Sequence, residues 1–133
     1  MAERFFDTNV LLYLLSADAT KADRVEETLA AGATISVQVL NEFAAVALRK
    51  LGMTVAEVRD ALEPIMAICK VLPITVEIHQ RGLQIAERYR FAVYDALIIA
   101  AALDAGCSTL YTEDLQDGQV IEGLTIRNPF AGL

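Results

Sequence analysis

The sequence predicts an α/β domain with a mostly parallel central sheet of about five strands flanked by helices. Three observations carry this reading. Short apolar runs alternate with longer amphipathic segments along all 133 residues, a length that fits one domain, 1–133, with a core of its own. Hydrophobic residues make up 55% of the chain while Trp is absent, so the core is aliphatic, as in sheets covered on both faces. Glycines stand where helical segments should end.

The strand-like runs are Arg4–Phe6, Thr34–Ser36, Val71–Ile74, Thr109–Tyr111 and Leu124–Ile126. Val10–Leu15 reads as a short helix, Thr20–Ala31 as a helix closed by Gly32, and Val39–Leu51 as one closed by Gly52. Thr54 and Glu57 form a capping box that opens the next helix, because each side chain can satisfy the other residue's free amide. Pro64 is expected to kink or break that helix. Thr75 is placed as the N-cap of a helix reaching about Arg90. Phe91–Ala105 follows as a nearly all-apolar helix closed by Gly106. Strands joined by helical crossovers give parallel pairs, and ligands then bind beyond the carboxyl ends of the strands.

Composition narrows the function. The two cysteines, Cys69 and Cys107, lie far apart in no ligand-like spacing, which points to reduced thiols in a cytoplasmic protein. Arg4, the apolar run after it and Ala17-Asp18-Ala19 resemble a secretion signal, but Asp7 and Asn9 interrupt the run, so it reads as mature structure. No uncharged stretch approaches a membrane span. The formal net charge of −7 works against binding phosphate unless cations screen the acidic groups.

Four acidic residues stand where such a fold could bring them together. Asp7 follows the first strand; alone it would read as a helix N-cap. Glu42 lies in a helix with Val39, Ala45 and Val46 as its neighbours one turn away, an apolar setting for a charged group. Asp95 is the only charged residue between Phe91 and Leu103; such an acid needs a cation, a hydrogen-bond network or a helix N-terminus. Asp114 lies just beyond the fourth strand, whereas Glu113 and Asp117 read as solvated loop acids, Asp117 within a turn. Two carboxylates about 4 Å apart repel by roughly 4 kcal/mol at an effective dielectric of about 20. A cluster of them therefore shares protons or binds cations. Oxygen donors without histidine favour magnesium or manganese over zinc. The single histidine, His79, lies on an amphipathic helix remote in sequence from these acids and reads as a surface residue.

Asp7-Thr8-Asn9, Asn41-Glu42, Tyr94-Asp95-Ala96 and Thr112-Glu113-Asp114 resemble, in order and placement, the acidic signatures of PIN domains. The pattern is most similar to VapC-type toxins of toxin–antitoxin pairs, and it spans essentially the whole chain. The resemblance implies a PIN-like nuclease domain in which Asp7, Glu42, Asp95 and Asp114 form the catalytic and metal-binding core. Thr112 would support the fourth acid and Asn9 would stand behind the first. It implies Mg2+ or Mn2+, endonucleolytic hydrolysis of RNA by an activated water, a homodimer, and a cognate antitoxin that inserts a basic side chain among the acids. Attack by water leaves a 5′-phosphate and a 3′-hydroxyl.

The rival readings fit less well. A phosphatase of the haloacid dehalogenase type wants a second acid where Asn9 stands, and a signalling receiver domain wants a lysine that Thr109–Asp114 lacks. A structure-specific DNA nuclease is usually larger. A catalytically silent PIN-like module that binds RNA or protein is the alternative from another class, and loss of any one of the four acids would have favoured it.

Overall fold

A short first strand decides the architecture, because every other layer is placed relative to it. In the computed structural model, which describes residues 3–133, β1 (Glu3–Phe6) runs into α1 (Thr8–Leu12) and a single 3-10 turn, Tyr13–Leu15. There follow α2 (Ala19–Ala30), β2 (Thr34–Ser36), α3 (Val37–Arg49), α4 (Val55–Ile68), β3 (Lys70–Leu72), α5 (Val76–Tyr89) and α6 (Val93–Asp104). The chain closes with β4 (Cys107–Tyr111), β5 (Val120–Ile121) and β6 (Leu124–Arg127). The six strands lie in the order β3-β2-β1-β4-β6-β5, all neighbours parallel except the β5–β6 hairpin.

The strand order reverses direction between β1 and β4. From β1 the chain builds outward through β2 and β3, then returns to the other side for β4 and β6. A crevice opens at such a switch point beyond the strand ends. Phe5, Phe6, Ile35, Leu110 and Ile126 from the central strands are fully buried, and α6 packs Ile98, Ile99 and Ala100 against them. The core is mostly aliphatic, as the composition predicts, but its largest fully buried side chains are Phe5, Phe6 and Phe43.

The structure departs from the sequence expectation in four places. The sheet has six strands rather than five, because Val120–Ile121 pairs with β6 through a turn at Glu122-Gly123, with φ of 51° and 91°. Two positive φ values in a two-residue loop are what a twisted hairpin requires. Pro64 neither breaks nor ends α4, which runs on to Ile68. Pro64 is exposed, so the carbonyl one turn earlier that loses its donor can be hydrated instead. The third strand ends at Leu72, and Ile74 is exposed. The last helix begins at Val93 rather than Phe91, since Arg90 adopts a left-handed conformation that ends α5, and Phe91 stacks on Tyr89 with centroids 6.0 Å apart.

The capping box at Thr54 and Glu57 is formed in both directions, with distances of 2.9 and 3.1 Å. Gly32, Gly52 and Gly106 take the positive φ that lets a helix end. Gly82 has a different task. It lets α5 approach α6 so closely that a Cβ there would stand 2.5 Å from Leu97 Cδ2 and 3.3 Å from Leu97 Cα. Gly82→Val is therefore expected to lower stability by roughly 2–3 kcal/mol, the cost of overpacking a close helix contact. Chemical denaturation checks this; an unchanged midpoint would show that the two helices separate without loss.

Candidate metal centre

In the parallel ladder between β1 and β4, Phe6 stands opposite Tyr111. The next residues, Asp7 and Thr112, therefore leave adjacent strands side by side at the same end. The Asp7 amide donates to the Tyr111 carbonyl, and the Thr112 amide to the Arg127 carbonyl, both at 3.0 Å. Each residue is thus pinned by backbone before its side chain does anything.

Asp7 is also the N-cap of α1, accepting from the Thr8 amide at 2.7 Å through Oδ1. Its Oδ2 accepts from the Thr112 hydroxyl at 2.9 Å, with the Asn9 side-chain amide farther off at 3.4 Å. The Thr112 hydroxyl in turn accepts from Asn9 Nδ2 at 3.2 Å and from the Asp114 amide at 3.1 Å. One hydroxyl has one proton and two lone pairs, and here all three are used. Asn9 Oδ1 accepts from the Glu113 amide at 3.3 Å. Thr112, fully buried, is thereby the joint between the first and fourth acids.

The other acids arrive on helices. α3 leaves the end of β2 and carries Glu42, whose Oε1 accepts from the Thr8 hydroxyl at 3.0 Å. Asp95 stands in the first turn of α6. Asp7, Asp95 and Asp114 each offer a carboxylate oxygen, and these atoms all lie within 4.8 Å of one another. Glu42 stands outside that trio but lines the same cleft, of about 190 Å³, together with Tyr94 and Ile98. Glu113 and Asp117 take no part in the lining. Glu113 faces Lys21 Nζ at 4.0 Å, and Asp117 Oδ1 accepts from the Asn128 amide at 2.8 Å, fixing the loop after β6. His79 is exposed on α5.

Electrostatics sets the state of this cluster. Burial pushes the Asp7 carboxyl up from 3.8 to about 7; hydrogen bonds from Thr112 and the Thr8 amide oppose the shift, and Asp114 and Glu42 add to it. Asp95 is raised too, again by burial first and then by Asp114 and Glu42. A carboxylate in the first turn of a helix is favoured by the helix dipole, worth about 0.3–1 kcal/mol. Desolvation and like charges outweigh that contribution here. Without a cation, the cluster keeps a proton near neutral pH. The donor set is three carboxylate oxygens, with no histidine or cysteine in the group among the described residues, which fits a hard divalent cation.

Four contributors are not visible from the acid pattern alone. Thr8 orients Glu42, yet a threonine opening a helix has no periodic signature. Lys21 lies over the rings of Tyr13 and Phe130, at 4.9 and 5.0 Å, while reaching Glu113. Tyr13 and Phe130 meet edge to face at 4.6 Å, so this cluster ties the loop beside Asp114 to α2 and to the chain after β6.

Because the folded Asp7 carboxyl titrates near 7 and an unfolded one near 3.8, the native state holds the extra proton between these values. Stability then falls as pH rises through that window. In metal-free protein the melting temperature of the wild type, relative to Asp7→Asn, is expected to drop from about pH 4 to about pH 7. Added divalent cation at pH 7 should restore it in the wild type alone. A difference that grows more favourable to the wild type with pH would refute the burial argument.

The sequence profile described as "PIN domain" aligns with residues 4–116. Among solved structures, the chain is similar to a toxin–antitoxin complex from Klebsiella pneumoniae, with a TM-score of 0.73 and 21% identity over 96% of this chain and 98% of that one. It is similar to DNA-bound VapBC from Salmonella typhimurium, with a TM-score of 0.73 and 22% identity over 97% and 99% of the two chains. It is also similar to VapC20 from Mycobacterium tuberculosis, a Sarcin-Ricin loop cleaving toxin, with a TM-score of 0.69 and 18% identity over 84% and 90%. No curated protein matches the chain by sequence. At these identities the structures speak for the fold, and the profile, which spans most of the sequence, speaks for descent: the chain belongs to the PIN-domain family.

Proposed function

We propose that this protein is a divalent-metal-dependent endoribonuclease, the VapC-type toxin of a toxin–antitoxin pair. The observation that carries the reading is the meeting of Asp7, Asp95 and Asp114 oxygens within 4.8 Å at the switch point of the sheet. Hydrogen bonds do not explain the grouping, because they leave Asp7 raised to about 7. The similarity to toxin–antitoxin complexes and to a toxin that cleaves the Sarcin-Ricin loop supports RNA as the substrate and an antitoxin as partner.

In this reading Asp7, Asp95 and Asp114 hold the ion, Mg2+ or Mn2+, with Glu42 beside them. When bound, such an ion lowers the pKa of water and neutralises charge on a phosphate oxygen. The protein's own contribution is positional. Asp7 gives up the proton that burial keeps on it, and Thr112 holds its Oδ2 in place as it ionises. Thr112 also fixes the backbone of Asp114, the most exposed of the acids. Thr8 occupies Glu42 Oε1, leaving Oε2 to accept a proton or hold a water in the cleft. Hydrolysis would leave a 5′-phosphate and a 3′-hydroxyl.

The same charge argument supports an antitoxin whose basic side chain enters the cleft, since a cationic group relieves the repulsion as an ion does. Val76, Leu83, Val93 and Tyr94 are exposed on α5 and α6, which supports a homodimer. Among the described residues no helix is long and apolar enough to cross a membrane, and the proposed site of action is the cytoplasm.

The test is cleavage of a mixed single-stranded RNA pool by purified protein, with DNA alongside. Cleavage is expected with Mg2+ or Mn2+, lost on chelation, and reduced at least 100-fold in Asp95→Asn, the order of effect seen when one catalytic electrostatic contact is removed. Equal cleavage by Asp95→Asn would place the activity elsewhere. Failure to bind divalent metal would leave the catalytically silent binding module in its place.

A further inference from the structure

The acidic cleft does not end at its acids. The hollow that holds Asp7, Asp95 and Asp114 shares Asn9, Leu12 and Val46 with a neighbouring hollow of about 370 Å³ that runs under the 3-10 turn toward Leu51. Val46 also lines a third hollow, of about 150 Å³, whose walls include Arg49 and Lys50. Val46 is common to all three, so they adjoin one another along α3. Along α3, Glu42, Val46, Arg49 and Lys50 follow one another at helical spacing, so they share a face. The two cations therefore stand about 10–12 Å along the helix axis from Glu42.

Both residues are exposed, and among the described residues neither forms an ion pair. Arg4 is committed to the Thr28 and Gly32 carbonyls, Lys21 to Glu113, Arg24 to the Pro129 carbonyl and Arg81 to Glu122, and among the described cations Arg49 and Lys50 are the ones that line these three hollows. In a chain of net charge −7, an adjacent free pair at the mouth of the acidic groove is distinctive. We infer that Arg49 and Lys50 bind the backbone phosphates of a single-stranded RNA about two to three nucleotides from the bond held at the acids. The inference rests on the nuclease reading and deepens it. An ion screens the acids at one end of the groove, and this pair supplies positive charge for the strand at the other. Complementing the carboxyl end of α3 is the competing task for both side chains, and it predicts no effect on RNA.

The test is a binding titration with a fluorescein-labelled single-stranded RNA of mixed sequence, read by anisotropy across a salt series. All proteins carry Asp95→Asn so that the RNA survives. Replacing Arg49 and Lys50 together by Ala is expected to reduce the salt slope of log K by about 1.4, the value for two phosphate contacts on a single strand. Affinity should then fall about 25-fold at 0.1 M salt, with the difference vanishing toward 1 M. Replacing Lys70, exposed at the start of β3 and so at the opposite end of the sheet from the acids, by Ala should leave the slope unchanged. An unaltered slope in the Arg49/Lys50 variant, with RNA still bound, would overturn the inference while the nuclease reading stands. A change in the molecular mass in solution would assign the groove to a second copy of the chain and overturn it as well. RNA that fails to bind even before the replacement, beside no cleavage by the intact protein, would overturn both.

Discussion

The structure turns on keeping like charges close. Carboxylates whose oxygens lie within 4.8 Å of one another repel by a few kcal/mol per pair, a sizeable share of a small domain's total stability. No single element could hold them against that. The fold distributes the load: Asp7 is fixed by the β1–β4 ladder and by its own helix cap, Asp114 by its amide on Thr112, and Asp95 by an α6 locked into the core. Thr112 stands at the centre because its hydroxyl serves both strands at once. Moving that one oxygen would loosen the first and fourth acids together.

Much of this was legible in the sequence, and the reasons differ by element. β2 and the capping box at Thr54 are signalled by local chemistry and form as read. β5 was hidden because two residues make no pattern; Val120 and Ile121 become a strand only through β6 and the turn at Glu122-Gly123. Pro64 shows the opposite failure, a strong local signal overruled because its face of α4 is wet. For the site, each acid could be placed on its element, but their convergence is a tertiary fact. That Asp7, Asp95 and Asp114 draw closest while Glu42 stays at the side depends on strand register and on where α6 begins. The bond from Thr8 to Glu42 could not be read, because the acceptor lies on another helix.

Net charge misleads when taken as a whole-molecule property. A chain at −7 resembles a poor partner for nucleic acid. The acids that matter are gathered where a cation fits, and Arg49 and Lys50 stand about two helical turns from Glu42 along α3. Affinity for a polyanion depends on that arrangement along a groove of Debye-length dimensions, about 8–10 Å, more than on the sum.

The joint at Thr112 also has a consequence for how the protein is made. Its amide is received by the Arg127 carbonyl, and the seat of Lys21 is completed by the Phe130 ring. Both partners belong to the stretch of the domain translated last. A ribosome-bound chain that has exposed Asp7, Glu42 and Asp95 still lacks the strand that closes the fourth corner, and long-range contacts of this kind form late. The order of the strands therefore acts as a delay: the fourth corner of the acidic centre is the last to close.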